Sequence, residues 1–316
     1  MTLLLLDANG LFHQAFQPSE ANPHFRSDGL PVGAVGGFLS WVHSILVDVG
    51  RPQCATHAIA VFDPTSRRNW RHDLFPSYKA NRKPQPNARP QLRLCRALVS
   101  GLGISTTASP SYEADDVIAA YARQAEELGM GCVIATADKD ALQLIRPGVS
   151  VYDFKTRNLV IAGDPIKLGV EPWQVPCFQG MVGDSSDNYP GIRGIGEKGA
   201  REALAAYDTM EDAIAAAATG SMANAKLARL LIEGADDGRL SRRLAVLDDQ
   251  APMRLAIHDA EIRSADPELI IGGMKALGVQ NWTNSLATKL QVEPDDFSPN
   301  PAIIDLADEL VELAAA

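Results

Sequence analysis

Three short apolar runs in this chain are each followed closely by an aspartate. The runs and their aspartates are residues 3–6 with Asp7, residues 58–62 with Asp63, and residues 132–135 with Asp138. Runs of this kind, followed by helix-like stretches, are typical of buried parallel strands, whose carboxyl ends meet at one edge of a sheet. Carboxylates gathered there would repel one another unless cations lay between them. The pattern therefore predicts a divalent-metal site.

A second group of acids opens a predicted helix at residues 112–117. Glu113 and Asp116 are three positions apart and are expected to share a helix face, with Asp115 pointing aside. Acids in a first turn also complement the helix dipole, so a purely structural role stays open. Three acids within four residues are nevertheless more than a helix cap requires.

Two further pairs complete the acidic set. Asp138 and Asp140 flank one residue after the third run, and Asp184 and Asp187 stand in a polar turn that could also be a simple Asx-turn. The nine candidate metal ligands are Asp7, Asp63, Glu113, Asp115, Asp116, Asp138, Asp140, Asp184 and Asp187. So many hard oxygen donors suit Mg²⁺ or Mn²⁺ rather than zinc. Two such ions, about 4 Å apart, would clamp the attacking and leaving oxygens of a phosphodiester.

A basic segment follows the second run. The net charge of -10 argues against a nucleic-acid partner, but nine Lys and Arg residues against the single acid Asp73 lie between residues 67 and 96. Lys79 and Arg82 are three apart and could neutralise charge on a phosphoryl group. The candidate DNA contacts of this segment are Arg67, Arg68, Arg71, Tyr78 and Lys83. A solvated loop is the competing interpretation.

Residues 191–200 read GIRGIGEKGA and predict a helix-hairpin-helix, which grips a nucleic-acid backbone through free N–H groups. Its candidate DNA contacts are Gly191, Gly194, Gly196 and Lys198. The same glycines formally match a dinucleotide-binding GxGxxG motif. We reject that alternative because no apolar strand precedes the motif.

The elements that must position these residues indicate an α/β fold with a central, mostly parallel sheet flanked by helices. We expect helices over residues 32–49, 92–102 and 115–128, and a fourth strand over 149–154. The predicted organisation is a catalytic domain over 1–170 with a basic excursion at 66–96, a helical region over 171–290, and an acidic linker and tail over 291–316.

Composition also bears on the cellular compartment and on membrane association. The four cysteines are isolated, so neither zinc nor a disulfide framework is indicated, and a reduced cytoplasm fits best. No secretory signal is apparent at the start, and no apolar stretch reaches the roughly 20 residues of a membrane helix.

In order along the chain, these motifs resemble those of the 5′-nuclease family, which includes the flap endonucleases and the 5′→3′ exonuclease domain of bacterial DNA polymerase I. The resemblance covers the chain from its start to about residue 260. The motifs that carry it are Leu6-Asp7, Val61-Phe62-Asp63, residues 74–82 (LFPSYKANR), 112–118 (YEADDVI), 136–140 (TADKD) and 183–191 (GDSSDNYPG).

The resemblance implies a PIN-like 5′-nuclease fold, an arch formed by the basic excursion, and a helix–three-turn–helix element around residues 190–204. It implies Mg²⁺ at the carboxylates, two ions or more with Mn²⁺ as a substitute, and K⁺ at the helix–three-turn–helix. Lys79 and Arg82 match the family's arch cations. The implied activity is two-metal hydrolysis of DNA at 5′ flaps, nicks and gaps, with RNA primer–DNA hybrids as further substrates, in primer removal and repair.

The chain departs from the family in three places. Gln14 stands where the first helix usually carries an arginine, which puts contact with a 5′ phosphate in doubt. No polymerase domain follows, so we expect a free-standing, monomeric nuclease. The tail beyond residue 290 has no counterpart, and it either packs on the domain or binds a replication or repair protein.

Two other functions remain alternatives. One is a catalytically silent protein that binds branched DNA, which would bind a flap duplex without cutting it. The other is a ribonuclease of the related PIN class, against which the helix-hairpin-helix and the long basic excursion argue.

Overall fold

The structure, a computed structural model, describes residues 1–64 and 68–315. Its centre is a six-stranded sheet in the order β3-β2-β1-β4-β5-β6, in which β5 and β6 pair antiparallel and all other pairs are parallel. The strands are β1 (Thr2–Asp7), β2 (Ala55–Phe62), β3 (Ser105–Ala108), β4 (Gly131–Ala135), β5 (Val149–Asp153) and β6 (Asn158–Val160). The predicted α/β fold with a mostly parallel sheet is confirmed.

Helices cover both faces of this sheet. They are α1 (Ala8–Ala21), α2 (Gly33–Ile45), α3 (Trp70–Leu74), α4 (Ala88–Leu98), α5 (Ala114–Glu127), α6 (Val175–Val182), α7 (Glu197–Ala206), α8 (Met210–Ala218), α9 (Ala225–Glu233), α10 (Ala235–Ala245), α11 (Pro267–Ala276), α12 (Gln280–Leu290) and α13 (Pro301–Ala315). A π-helical turn, Leu46–Gly50, extends α2, and short 3₁₀ turns lie at Val99–Leu102 and Asp140–Leu144.

The residues of β1 alternate between two cores. Leu3 and Leu5 belong to the core that α5 and α6–α10 share on one face, and Leu4 and Leu6 belong to the core that α1, α2, α4 and α11–α13 share on the other. All four leucines are at most 1% exposed, which explains why the strand is a continuous apolar run rather than an alternating one.

The sheet has its switch point at β1. The chain runs outward from β1 to β2 and β3, and then returns through α5 to β4 on the other side of β1. Beyond the carboxyl ends of β1 and β4 such a reversal opens a crevice. Asp7 ends β1, Asp63 follows β2 and Asp138 follows β4, so the topology brings all three predicted strand-end aspartates to this crevice.

Two strands escaped the sequence analysis for physical reasons. β3 has the sequence STTA, which carries no apolar run because only two of its four residues are buried. β6 is three residues long and lies at the antiparallel edge of the sheet. Short or edge strands need fewer apolar residues, so their hydrophobic signal is weak.

The last three helices do not continue the helical region built from α6–α10. They pack on the α/β core, where Ile270, Met274 and Leu286 are fully buried beside α2 and α4. The tail helix α13 packs there too through Ile303, Ala307 and Leu310. We therefore place the end of the helical region near residue 266, earlier than the predicted boundary at 290.

One described stretch, Gly33–Gly50, is long and apolar enough to cross a membrane by length and composition alone. Gly33–Gly50 spans 18 residues with a mean hydropathy of 1.3, and 56% of this stretch is buried inside the protein. This burial is typical of a core helix, and α2 indeed lies between α1, α4 and α12.

Candidate active site

Asp7 and Asp63 are held in fixed orientations at the crevice. Asp7 is 6% exposed and accepts hydrogen bonds from the Gly10 N–H at 2.8 Å and the Thr136 hydroxyl at 2.8 Å. Asp63 accepts from the Ala114 N–H at 2.8 Å and the Asn9 amide at 2.9 Å. These bonds tie the ends of β1 and β2 to the starts of α1 and α5, so the two carboxylates are rigidly placed.

Four acids at the crevice, Asp7, Asp63, Asp115 and Asp138, form no ion pair with a described residue, although the charge of Lys79 acts on Asp63 and Asp115. Burial raises the pKa of Asp7 to about 6, and the charges of Asp63 and Asp138 add to this rise. Burial and the neighbouring Glu113 raise the pKa of Asp63. The pKa of Asp115 is raised well above its usual range by burial and by the charges of Asp138, Asp7 and Asp63. The site thus carries excess negative charge that a bound cation would offset.

The setting of Asp115 differs from the sequence expectation. Glu113 and Asp116 do share a helix face, but it is Asp115 whose charge acts on the strand-end aspartates. The sequence could not show which face of α5 is turned to the crevice, because that depends on how the helix crosses the sheet.

A second set of carboxylates carries cations of the protein itself. Glu113 accepts from Lys79 Nζ at 2.5 Å, and Asp187 lies 3.7 Å from Lys79 Nζ and 2.6 Å from an Arg82 guanidinium nitrogen. The Tyr78 hydroxyl lies 2.9 Å from both a Glu113 and an Asp187 oxygen. Burial alone would raise the pKa of Glu113, but Lys79 and Arg71 outweigh it and hold the pKa below its usual value.

Asp184 is paired with Lys139, at 2.5 Å, inside the same crevice. Its other oxygen accepts from the N–H groups of Ser186 and Asp187 at 2.7 and 3.1 Å, so the Asx-turn considered from the sequence is present as well. Burial would raise the pKa of Asp184, but the hydrogen bond and charge of Lys139 lower it.

Burial and nearby Asp138 raise the pKa of Asp140, although Gln179 donates a hydrogen bond to it.

Asp116 has a different setting from the other eight predicted ligands. It is fully buried and forms a two-pronged ion pair with Arg71, with both N–O distances 2.7 Å. Arg71 itself is 2% exposed, so it is turned inward and not toward solvent, where DNA would bind. We therefore leave Asp116 out of the proposed metal ligands and Arg71 out of the proposed DNA contacts.

Among the other candidates for DNA contact, some side chains are buried and others are exposed to solvent. Tyr78 is 3% exposed, so its ring presents no face on which a base could stack. Arg68 is exposed and paired with Asp73 at 2.6 Å, and Lys83 is exposed. The prediction for Arg67 lies outside the described residues.

A cavity of about 490 Å³ lies at the crevice between the acids. Asp7, Asp138, Asp140, Asp184, Asp187 and Arg82 line it, and Gln14 lies on its wall. Within residues 1–64 and 68–315, no three His, Cys, Asp or Glu side chains converge closely enough to coordinate one ion as they stand. The donor set is nevertheless all oxygen and carries uncompensated charge, which fits hard divalent cations.

The predicted helix-hairpin-helix is formed by α6, a loop over residues 183–196, and α7. Two glycines hold the loop closed: Gly183 and Gly191 have φ of 77° and 63°, and a Cβ on Gly191 would lie 2.3 Å from the Gly183 nitrogen. The N-terminus of α7 has no side-chain cap, so its N–H groups are open to a ligand. Gly194, Gly196 and Lys198 are exposed beside it.

We expect Gly191→Ala to weaken the loop, because it adds both a backbone clash and an unfavourable φ, at a cost of about 1–3 kcal/mol. Thermal unfolding and duplex-DNA binding would both report the loss. Gly196→Ala is the matched control for the unfolding measurement, since a Cβ there meets nothing within 4 Å. Equal unfolding temperatures of the two variants would show that the close approach of Gly183 and Gly191 is unimportant.

Several residues that shape the site were missed from the sequence. Asn9 and Thr136 orient the strand-end aspartates, Lys139 pairs with Asp184, and Gln179 reaches Asp140 from α6. Lys139 carried a weak signal, because it lies between two predicted ligands. The others are ordinary polar residues whose roles follow only from contacts distant in sequence.

Comparison with known proteins agrees with this geometry. The family model "5'-3' exonuclease, N-terminal resolvase-like domain" matches residues 2–167, and "5'-3' exonuclease, C-terminal SAM fold" matches residues 170–268. The chain is 32% identical over 302 residues to DNA polymerase I of Rhizobium leguminosarum, covering 94% of this chain and 29% of that protein. It is 30% identical to DNA polymerase I of Bacillus caldotenax, covering 98% of this chain and 35% of that protein.

Solved structures share the fold. The zinc-bound T5 5′-exonuclease superposes with a TM-score of 0.64 at 18% identity, covering 92% of this chain and 98% of that one. The catalytic core of Rad2 in complex with DNA superposes with a TM-score of 0.56 at 17% identity, covering 91% of each chain. With both domain models matched in order over residues 2–167 and 170–268, the chain belongs to the 5′-3′ exonuclease family of nucleases.

Proposed function

We propose that this protein is a 5′→3′ exonuclease and 5′-flap endonuclease that hydrolyses DNA phosphodiesters. The observation that carries the proposal is the set of acids Asp7, Asp63, Asp115 and Asp138, which lie close together at the sheet's switch point and form no ion pair with a described residue. A site that concentrates negative charge cannot bind a phosphate backbone unless cations bind with it.

We propose Mg²⁺ as the cofactor, two ions or more, with Mn²⁺ as a substitute. The residues that would hold it are Asp7, Asp63, Asp115 and Asp138, together with Glu113 and with Asp140, Asp184 and Asp187, which line the cavity. Bound divalent ions would supply an activated water and stabilise the leaving oxygen.

Lys79 and Arg82 are the protein's own cations at the reaction centre. Lys79 lies against Glu113, and Arg82 extends from Asp187 into the cavity while remaining exposed. Positive groups so placed would meet the phosphate oxygens and offset the charge that grows there as the bond breaks. Arg82 is the freer of the two to move toward a substrate, because its side chain is 53% exposed against 17% for Lys79.

The DNA duplex would lie across the loop between α6 and α7. The open N–H groups at the start of α7 and the exposed Lys198 suit contacts with a phosphate backbone, and such contacts carry no base preference. Arg68 and Lys83 would add electrostatic attraction on the basic segment. We also propose K⁺ at this loop.

The proposed substrates are DNA with 5′ flaps, nicks or gaps, and RNA primer–DNA hybrids, processed in replication and repair in the cytoplasm. The relatives named DNA polymerase I support this setting, but the chain spans only 29–35% of their length. We propose a monomer. A protein partner of the tail would meet the outward, acidic face of α13, because its apolar face is buried.

The test is cleavage of a duplex carrying a labelled 5′ flap, with and without Mg²⁺. We expect cutting near the branch point that requires the ion and leaves a 5′-phosphate and a 3′-hydroxyl. Binding of the flap without cutting at any divalent-ion concentration would support the silent DNA-binding alternative. Preference for single-stranded RNA would support the PIN-type ribonuclease.

A further inference from the structure

We propose that Arg71 is a positioning residue, which fixes Glu113 of the carboxylate site to the backbone that follows helix α10. Through this link, the docking of α6–α10 on the α/β domain would set the placement of catalytic groups. The inference rests on the proposed function of the site, but it assigns a role that neither metal binding nor DNA contact explains.

The guanidinium of Arg71 has an acceptor for each of its five N–H donors. Its Nε donates to the Leu244 carbonyl at 2.9 Å, and one Nη donates to the Val246 carbonyl at 3.2 Å. The Nη groups also bind both oxygens of Asp116 at 2.7 Å and one oxygen of Glu113 at 3.3 Å. A buried group so fully satisfied can hold only one arrangement of its partners.

One side of this network reaches the reaction centre. Glu113, which Arg71 contacts, also binds Lys79 and the Tyr78 hydroxyl, and Tyr78 in turn contacts Asp187. A shift of Glu113 would therefore move Lys79, the cation proposed to face the scissile phosphate. Misplacement of a catalytic group by about 1 Å is enough to cost 10²-fold in rate.

The other side of the network reaches the helical region. Besides the Leu244 and Val246 carbonyls, the Asp248 N–H donates to Asp116 at 2.9 Å. Tyr78, Tyr189, Leu244 and Ala245 form a small buried cluster next to these bonds. The end of α10 is thus fastened to α3 and α5 by polar bonds and by packing at the same place.

A merely structural role for Arg71 is the competing explanation, because breaking a buried ion pair by removing one partner is strongly destabilising. The two roles differ in what happens when both charges are removed together. Apolar side chains in place of the whole pair can restore stability, but they cannot restore the bonds to Glu113 and to the two carbonyls.

The experiment compares Arg71→Met, the double variant Arg71→Met/Asp116→Leu, and Arg123→Met under single-turnover conditions on the flap duplex. Arg123 is the matched control because it also links α5 to this segment, donating to the Asp249 carbonyl at 3.1 Å, but it does not contact Glu113. We expect the double variant to unfold at a higher temperature than Arg71→Met, which leaves Asp116 unpaired, and still to cleave about 100-fold more slowly than the wild type, with DNA affinity little changed. Arg123→Met should cleave at the wild-type rate.

Wild-type cleavage by the well-folded double variant would overturn the proposal. Hydrogen exchange gives a readout that needs no substrate: backbone amides of residues 246–248 should exchange faster in the double variant than in the wild type. If the wild-type protein cut no DNA at all, the proposed function would fail, whereas the exchange comparison would still test the link. Unchanged exchange there would contradict the link even in an active enzyme.

Discussion

Asp115→Asn is expected to abolish cleavage and, at the same time, to raise the thermal stability of the metal-free protein. Asp115 is surrounded by the charges of Asp138, Asp7 and Asp63, and its pKa is raised well above the usual range. A carboxyl group with a raised pKa in the folded state loses its stabilising contribution as the pH rises through that pKa. At neutral pH the folded protein must therefore either keep this carboxylate ionised among like charges or protonate it, and a neutral amide removes both costs.

Both the size of the stability gain and its dependence on Mg²⁺ can be measured. A gain of about 1 kcal/mol would appear as a rise of a few degrees in the unfolding temperature of a chain this long. Added Mg²⁺ should stabilise the wild type and have much less effect on the variant, because one of the ligands is lost. Thermal unfolding in chelator and in Mg²⁺, with flap cleavage beside it, tests all three points. Lower stability of the variant in chelator would contradict the assignment of excess charge.

The same excess of negative charge predicts how the stability of the metal-free wild type depends on pH. Folding raises the pKa of Asp7 from its ordinary value of 3.8 to about 6, chiefly because the carboxyl group is buried. Its contribution to stability is complete below the unfolded pKa and is lost as the pH rises toward 6. We expect Asp7→Asn to flatten the fall in unfolding temperature between these pH values.

Lys79→Met is expected to reduce single-turnover cleavage by about 10²- to 10³-fold, because it removes a preorganised positive group from the reacting phosphate. The ammonium of Lys79 lies 2.5 Å from Glu113 and 3.7 Å from Asp187. Its removal also leaves these carboxylates less well compensated, since Lys79 is the main cation that lowers the pKa of Glu113.

Two controls separate this effect from a general loss of positive charge. Lys83→Met removes a fully exposed lysine four positions further on and should weaken DNA binding slightly without slowing the bound reaction. Lys79→Arg keeps the charge and should recover part of the rate. Equal rates for Lys79→Met and Lys83→Met at saturating enzyme would remove Lys79 from the catalytic groups.

The sequence by itself determined four of the six strands, β1, β2, β4 and β5, and the place of the aspartates that follow them. Leu3–Leu6, buried on both sides, can only be a central strand, and an aspartate at the end of such a strand must lie at the carboxyl edge of the sheet. The helix-hairpin-helix was equally visible, because the closely spaced Gly191, Gly194 and Gly196 stand just before a predicted helix. The close approach of Gly183 and Gly191 appeared only in the structure.

Only the tertiary structure decided what each acid does. Asp115 and Asp116 are adjacent in α5, yet one faces the crevice and the other is buried against Arg71. Arg71 and Lys79 lie eight positions apart in one basic segment, yet Arg71 is buried inside the protein and Lys79 lies at the proposed active site. The physical reason is that burial and ion pairing depend on groups more than 100 residues away, such as the Leu244 carbonyl and Asp187, whose approach no local pattern encodes.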